Sequence, residues 1–374
     1  MFPRTNFQKI EAELFKGRAI LLLGARQVGK TTLLKQLIKD KADVLWLNAD
    51  EPSVRNLFID FSVEKIKLII GNNKILVIDE AQLISDIGSA IKLIVDNIKE
   101  IQVLATGSSA FELKNKMNEP LTGRKWEHQL FPLSFSEIAS KNGVLAEMQN
   151  LEQRLIYGAY PAVVNEPVNA QNIITELSES YLYKDLFMWG GLKKPDKITT
   201  LLKALAYQVG SQVSYNELSQ MVQLDKETIE KYIEILEQCY IIFRLSSYHK
   251  NLRNELKKSK KIYFYDNGVR NAIIQDFRQV AVRQDIGALW ENYIISEILK
   301  KKKTENYYSK LFFWRTQTQQ EIDLIFEENA AITAIEIKWN PKAKAKFNAL
   351  FLEAYQPKET IVIHPNNYME YLMR

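Results

Sequence analysis

The stretch "AILLLGARQVGKTTLLKQLIKD" (residues 19–40) limits the possible folds more than any other part of this chain. A six-residue apolar run, a turn bounded by Gly24 and Gly29, and an amphipathic run follow one another, so G-x-x-x-x-G-K-[ST] stands in the strand-loop-helix setting that gives it meaning. The glycines let backbone N–H groups turn toward phosphate oxygens, and the helix N-terminus adds its positive end. About one chain in a hundred of this length would carry the bare pattern by accident, and the flanking strand and helix reduce that further. The alternative is a chance glycine turn.

More runs of the same kind follow. "VLWLNAD", "KILVIDE" and "IQVLATG" are short and apolar, with helical patterns between them. Such alternation marks a parallel sheet covered on both faces. At 374 residues, 46% hydrophobic and 25% charged, the chain has material for two or three domains. No apolar run approaches the roughly 20 residues that cross a bilayer, and "MFPRTNFQKIEAELF" lacks the apolar segment of a secretion signal, so no membrane partner and a cytoplasmic location are expected. Cys239 is the single cysteine, which excludes an internal disulfide, and His128, His249 and His364 show no metal-ligand spacing. Zinc is not expected. The pattern turns mostly helical from Pro132 to Lys197. "SYNELSQMVQLDKETIEKYIEILEQCYIIFRL" then gives a short helix, a turn, a longer helix and a strand, with Ser214 and Glu217 as a capping box and Asp225 as the next N-cap. This is the pattern of a winged helix-turn-helix. The last ninety or so residues return to α/β. The expected boundaries are an ATPase-like domain over 1–135, a helical lid or linker over 136–200, a winged helix over 201–278 and an α/β tail over 279–374.

The loop defines a nucleotide-binding set: Gly24, Ala25, Arg26, Gln27, Val28, Gly29, Lys30, Thr31 and Thr32. Lys30 would reach the β and γ phosphates and Thr31 would ligate Mg²⁺. "ILVIDEAQ" supplies the second NTPase element, with Asp79 holding Mg²⁺ through water and Glu80 polarising the attacking water. A strand ending in solvated acids is the plainer alternative. Thr106, Ser108 and Ser109 end the strand "IQVLATGSSA", where a neighbouring strand can sense the γ-phosphate. Arg124 in "LTGRKW" is the candidate arginine finger, in its own chain or across a subunit boundary, or else a surface arginine. ATP and Mg²⁺ are the expected cofactors.

In that order, "GARQVGKTT", "NADEP", "VIDEAQ", "ATGSS", "LTGR" and "FPLSFSEI" resemble the prokaryotic AAA+-like ATPases whose C-terminal half is catalogued as a domain of unknown function. The resemblance continues through "YGAYPAVV", "KIYFYDNGVRNAI", "GALWENYII" and "EIDLIF...AIEIKW", and so covers nearly the whole chain. The ATP-site motifs are specific alone; the others are specific in combination. The resemblance implies a P-loop NTPase core, a winged helix and a tail with the restriction-endonuclease-like, PD-(D/E)XK fold. In arrays of such ATPases an arginine finger acts between subunits, which leaves a homo-oligomer open.

The tail has a geometry of its own. On "EIDLIF", Ile322, Leu324 and Phe326 share one face, and Glu321 and Asp323 the other. On "AIEIKW", Glu336 and Lys338 share a face. A hairpin through "EENAA" would bring Asp323 and Glu336 to one Mg²⁺ or Mn²⁺ ion with Lys338 beside them, the D...E-x-K arrangement of a metal-dependent nuclease. The resemblance adds Glu291 as a third metal ligand. A sheet face with an ordinary surface Glu–Lys pair is the alternative.

The net charge is +5 and the pI near 8.9, a mild basic excess. Lys250, Arg253, Lys257, Lys258, Lys260 and Lys261 face one acid, Glu255, in the expected wing, and Lys300 to Lys303 close the helix that carries Glu291. These are candidate phosphate contacts along a nucleic acid, with DNA expected. The would-be recognition helix, Asp225 to Glu237, instead carries five acids and two lysines, which a groove lined by phosphates would repel. Two classes of function follow: a nucleic-acid enzyme in which ATP controls a nuclease tail, or a nucleotide-switched binding protein with a silent tail.

Overall fold

Five short runs become the parallel strands β1 (Ala19–Gly24), β2 (Val44–Asn48), β3 (Ile75–Asp79), β4 (Gln102–Gly107) and β5 (Lys125–Leu130), in the order β2-β3-β4-β1-β5. The computed structural model describes residues 1–107, 121–187, 195–249, 260–305, 309–316, 318, 320–343 and 345–373, and side chains outside 180–195. Every residue of β1, β3 and β4 is buried, which is why these strands read as unbroken apolar runs. β5, "KWEHQL", lies at the edge, is only partly buried and carries no apolar run to announce it. The strand order sets β4 between β1 and β3. Thr106, near the end of β4, therefore falls between the loop after β1 and the acids that end β3.

The chain divides into two compact units, the first built from Pro3–Phe131 with Gln238–Tyr240, the second from Pro132–Glu237 and Ile241–Arg374. The expected helical, winged-helix and tail segments are thus parts of one unit. Its seven-stranded sheet runs β12-β11-β10-β9-β7-β8-β6. β6 (Gln212–Val213), the helices Tyr215–Val222 and Lys226–Gln238, β7 (Ile242–Ser247) and β8 (Lys260–Phe264) follow the expected helix-helix-strand order, and β8 pairs antiparallel with both β6 and β7. Ser214 accepts from Glu217 N, and Asp225 from Thr228 N and Oγ1, so both expected helix starts are capped. At 278/279 the sheet does not break: β7 pairs in parallel with β9 (Lys310–Arg315), which continues into β10 (Glu321–Glu328), β11 (Ala331–Ile337) and β12 (Glu359–Ile363).

Buried polar groups fix the helix Ile286–Glu305 against this sheet. Asn292 accepts from Phe264 N at 2.7 Å and donates to Phe264 O at 3.1 Å, joining the helix to the end of β8. Arg270 ties the neighbouring helix Asn267–Ile274 to Ala206 O and to Asp285, and Asn271 donates to Leu155 O and Ile156 O. Apart from the Arg270–Asp285 ion pair, these bonds satisfy backbone groups that would otherwise be unpaired in the interior.

In the first unit the tightest backbone approach is at Gly24, where an added Cβ would stand 2.1 Å from Leu130 O on β5. Gly24→Ala must push β5 from β1. It should cost about 1–3 kcal/mol, read as a lowered urea midpoint of the ATPase-like unit. An unchanged midpoint would show that this approach is not needed.

Candidate functional site

Gln27 and Gly29 take left-handed backbone conformations (φ 57° and 98°) and turn the loop into the helix Lys30–Leu37. The Lys30 side chain is buried and folds back over the loop: its Nζ donates to Gly24 O at 2.9 Å and Ala25 O at 2.7 Å. From the next residue, Thr31 Oγ1 donates to Asp79 Oδ2 at 3.0 Å. Thr106 Oγ1 donates to Asp79 Oδ1 at 2.5 Å and accepts from Glu80 N at 2.9 Å. The expected residues Lys30, Thr31, Asp79, Glu80 and Thr106 thus stand together at the carboxyl ends of three adjacent strands. A threonine hydroxyl beside a carboxylate is the hard oxygen donor set that suits Mg²⁺. Glu80 has left-handed backbone (φ 53°), and its carboxylate accepts from Gln82 Nε2 at 2.5 Å. Gln82 was not singled out in the sequence, although it ends the "DEAQ" run; Ser108 and Ser109 lie outside the described residues.

For Arg124 only the reading within its own chain is corrected. It precedes β5, whose register with β1 is Ala19↔Lys125 through Gly24↔Leu130. That places Arg124 at the end of the strands opposite the loop, about 17 Å away along the strand. Its guanidinium is engaged by Asp96 at 2.6 Å and by Thr122 O. It cannot serve a nucleotide on its own chain's loop.

In the second unit, Asn329 and Ala330 both adopt left-handed backbone and close β10 onto β11 in a two-residue hairpin. The β9–β10 register slips between Ile322 and Ile325, and both enter one core cluster, so the expected alternation of Ile322, Leu324 and Phe326 on one face is broken. A bulge re-aims side chains, and Asp323 sits in this one. Asp323 Oδ2 accepts from Ile337 N at 2.7 Å and from Lys338 Nζ at 3.1 Å; Lys338 also meets Glu336 at 2.6 Å. Burial, then the neighbouring Asp323 charge, push the Glu336 carboxyl up to about 7. Lys338 is pulled down by burial, but Asp323 and Glu336 carry it above its ordinary value.

Glu291 joins this centre, together with residues that sequence reading had not placed there. Oxygens of Glu291, Glu321 and Asp323 lie within 4.8 Å of one another. Lys261 Nζ contacts Glu291 and Glu321, Tyr263 Oη donates to Glu291 at 2.6 Å, and Arg315 meets Glu321 at 3.2 Å. Burial above all pushes the Glu291 carboxyl up, against the pull of Lys261. Lys261 and Lys300, expected as phosphate contacts, are instead buried and ion-paired, Lys300 to Glu297 at 2.7 Å. Lys250, Arg253, Lys257 and Lys258 lie outside the described residues.

With this geometry in hand, comparison with known proteins separates the two units. Residues 16–139 match the model of a family described as an AAA domain. The Walker-type ATPase of Pyrococcus abyssi superposes with a TM-score of 0.51 at 14% identity, over 73% of this chain and 96% of that one. The first unit has the P-loop ATPase fold. Residues 148–280 and 286–372 each match a family described as a domain of unknown function. The chain is also 23% identical over 335 residues to an uncharacterised protein of Mycobacterium tuberculosis, covering 88% of this chain and 72% of that one. It is 25% identical over 321 residues to one of Methanocaldococcus jannaschii, covering 75% and 67%. Among the described residues, no helix is long and apolar enough to cross a membrane.

The Glu336 shift gives a sign that can be measured. A carboxyl raised from its ordinary value of 4.5 to about 7 on folding favours the fold while it is protonated, so its contribution is complete below about 4.5 and is lost as pH rises through about 7. Glu336→Gln should therefore raise Tm over wild type at pH 8, and the gap should close toward pH 5. A gap that is constant with pH would mean that Glu336 titrates normally.

Proposed function

We propose that this chain is a Mg²⁺-dependent ATPase that binds or acts on nucleic acid, with nucleotide-driven movement between its units controlling a metal-dependent, nuclease-like centre on β10 and β11. The convergence of Lys30, Thr31, Thr106 and Glu80 on and around Asp79 carries this reading. Backbone N–H groups of the loop would bind the phosphates, and Lys30, now held on two loop carbonyls, would exchange them for β and γ oxygens. Mg²⁺ held by Thr31 and Asp79 would neutralise charge that develops on the γ-phosphoryl group. Glu80 would orient the attacking water and take its proton, while Thr106 keeps Asp79 and the Glu80 backbone in register. Arg124, if it is a finger, acts on the loop of a second copy.

In the tail, Asp323 and Glu336 would hold Mg²⁺ or Mn²⁺, which when bound would supply an activated water, and Lys338 would place or stabilise that water. The hard oxygen donors of Asp323 and Glu336, both buried and facing one lysine, support that fit. Lys250, Arg253, Lys257 and Lys258 of the sequence support a nucleic-acid partner, and DNA is the expected one. One observation favours the second reading, a nucleotide-switched binding protein with a silent tail: Lys261, Arg315, Lys338 and Ile337 N already satisfy the acids without any metal.

Lys30→Ala should abolish ATP binding in calorimetry. Glu80→Gln should keep the affinity and lose about 100-fold or more in turnover. Equal affinity in wild type and Lys30→Ala would sink the nucleotide site. For the tail, labelled duplex and single-stranded DNA with Mn²⁺ should be cut by wild type and spared by Asp323→Ala purified identically. No cutting by wild type under any nucleotide condition leaves the binding reading.

A further inference from the structure

The acidic centre of the second unit already contains a cation. Lys261 is 1% exposed, and its ammonium meets Glu291 at 3.1 Å and also contacts Glu321. Those two acids are corners of the Glu291–Glu321–Asp323 triangle, whose spacing suits the ligands of one metal ion. The ammonium cannot leave for water. The backbone of Lys261 is paired on one side to Gln212 of β6 and on the other to Leu245 of β7, and its Nζ lies over the Phe313 ring. A buried ammonium stripped of its carboxylates costs several kcal/mol, so Lys261 and a divalent ion at Glu291 and Glu321 exclude each other. On the other side, Lys338 is 32% exposed and can swing from Asp323 and Glu336 to solvent when a metal arrives.

We propose that Lys261 is the fixed counter-cation of this centre, filling the place of a second metal ion, so that the site takes a single divalent cation on Asp323 and Glu336. This rests on the reading that the centre binds metal. It moves Glu291 from metal ligand to partner of Lys261, with Glu321 as the other partner and the Tyr263 hydroxyl fixing the Glu291 oxygen that Lys261 uses. The centre then responds to Lys261 by the number of ions it holds.

The test counts Mn²⁺ by calorimetry and electron paramagnetic resonance on the full, nucleotide-free chain, as the difference from Asp323→Asn, which leaves Thr31 and Asp79 untouched. Wild type and Lys261→Arg should bind one Asp323-dependent ion. Lys261→Met should bind two, and its Tm should rise with Mn²⁺ by more than that of wild type. Glu291→Gln, which keeps the hydrogen bonding and tests the same claim should Lys261→Met fail to fold, should leave Mn²⁺ affinity within about threefold of wild type. A residue that orients a metal ligand would lose about 10- to 100-fold, and a ligand itself at least as much. One ion in Lys261→Met, or a tenfold loss in Glu291→Gln, overturns the role of Lys261 while the metal reading stands. No Asp323-dependent Mn²⁺ in any form overturns both.

Discussion

One carboxylate, Asp79, organises the phosphate end of the first unit. Two hydroxyls donate to it, Thr31 from the helix after β1 and Thr106 from β4, and the second of these also accepts the Glu80 N–H. Such a convergence needs β4 between β1 and β3, the order the sheet has. It also needs β1 to end at a residue with no side chain, because β5 passes within bonding range of any Cβ at position 24. The loop, the oxygens around Asp79 and Glu80 are therefore one construction. A change in β5 or β4 would be felt at the loop.

The second unit solves a different problem, holding several carboxylates in a largely buried place. Asp323 and Glu336 are both buried, and Glu291 and Glu321 are close by. Mutual repulsion of such groups would oppose folding, and cations from three strands meet it: Lys261 from β8, Arg315 from β9 and Lys338 from the end of β11. That β8 takes part follows from the continuous sheet. The strand β8, which follows the helices Tyr215–Val222 and Lys226–Gln238 and β7, also supplies counter-charge to the tail. This makes the two segments electrostatically dependent on each other, whatever chemistry the centre performs.

Much of this could be read from sequence because it is short-range. The loop, its lysine and its threonine lie within eight consecutive residues, and the hairpin acids lie on either side of one tight turn. What stayed hidden depends on distant partners. β5 has a polar, half-buried sequence and becomes a strand only because β1 offers its edge. The bulge at Asp323 shows only in the register of β10 against β9. Lys261 and Lys300 look like surface cations in a basic run, yet their partners are Glu291, Glu321 and Glu297, and both pairs of Lys261 require the fold to bring together residues thirty or sixty apart. For Arg124 the parallel register excludes only the loop of its own chain, a separation that its neighbours in sequence do not reveal.

The central claim is that the oxygens around Asp79 serve hydrolysis of a nucleotide and not only the packing of a strand end. Its most direct test is phosphate release from ATP by the full chain, with Mg²⁺ and with EDTA, in wild type and in Asp79→Asn, which keeps the size of the side chain and most of its hydrogen bonding. The account predicts release that needs Mg²⁺ and falls by about 100-fold or more in Asp79→Asn. Release at the same rate in Asp79→Asn, or in EDTA, would contradict it.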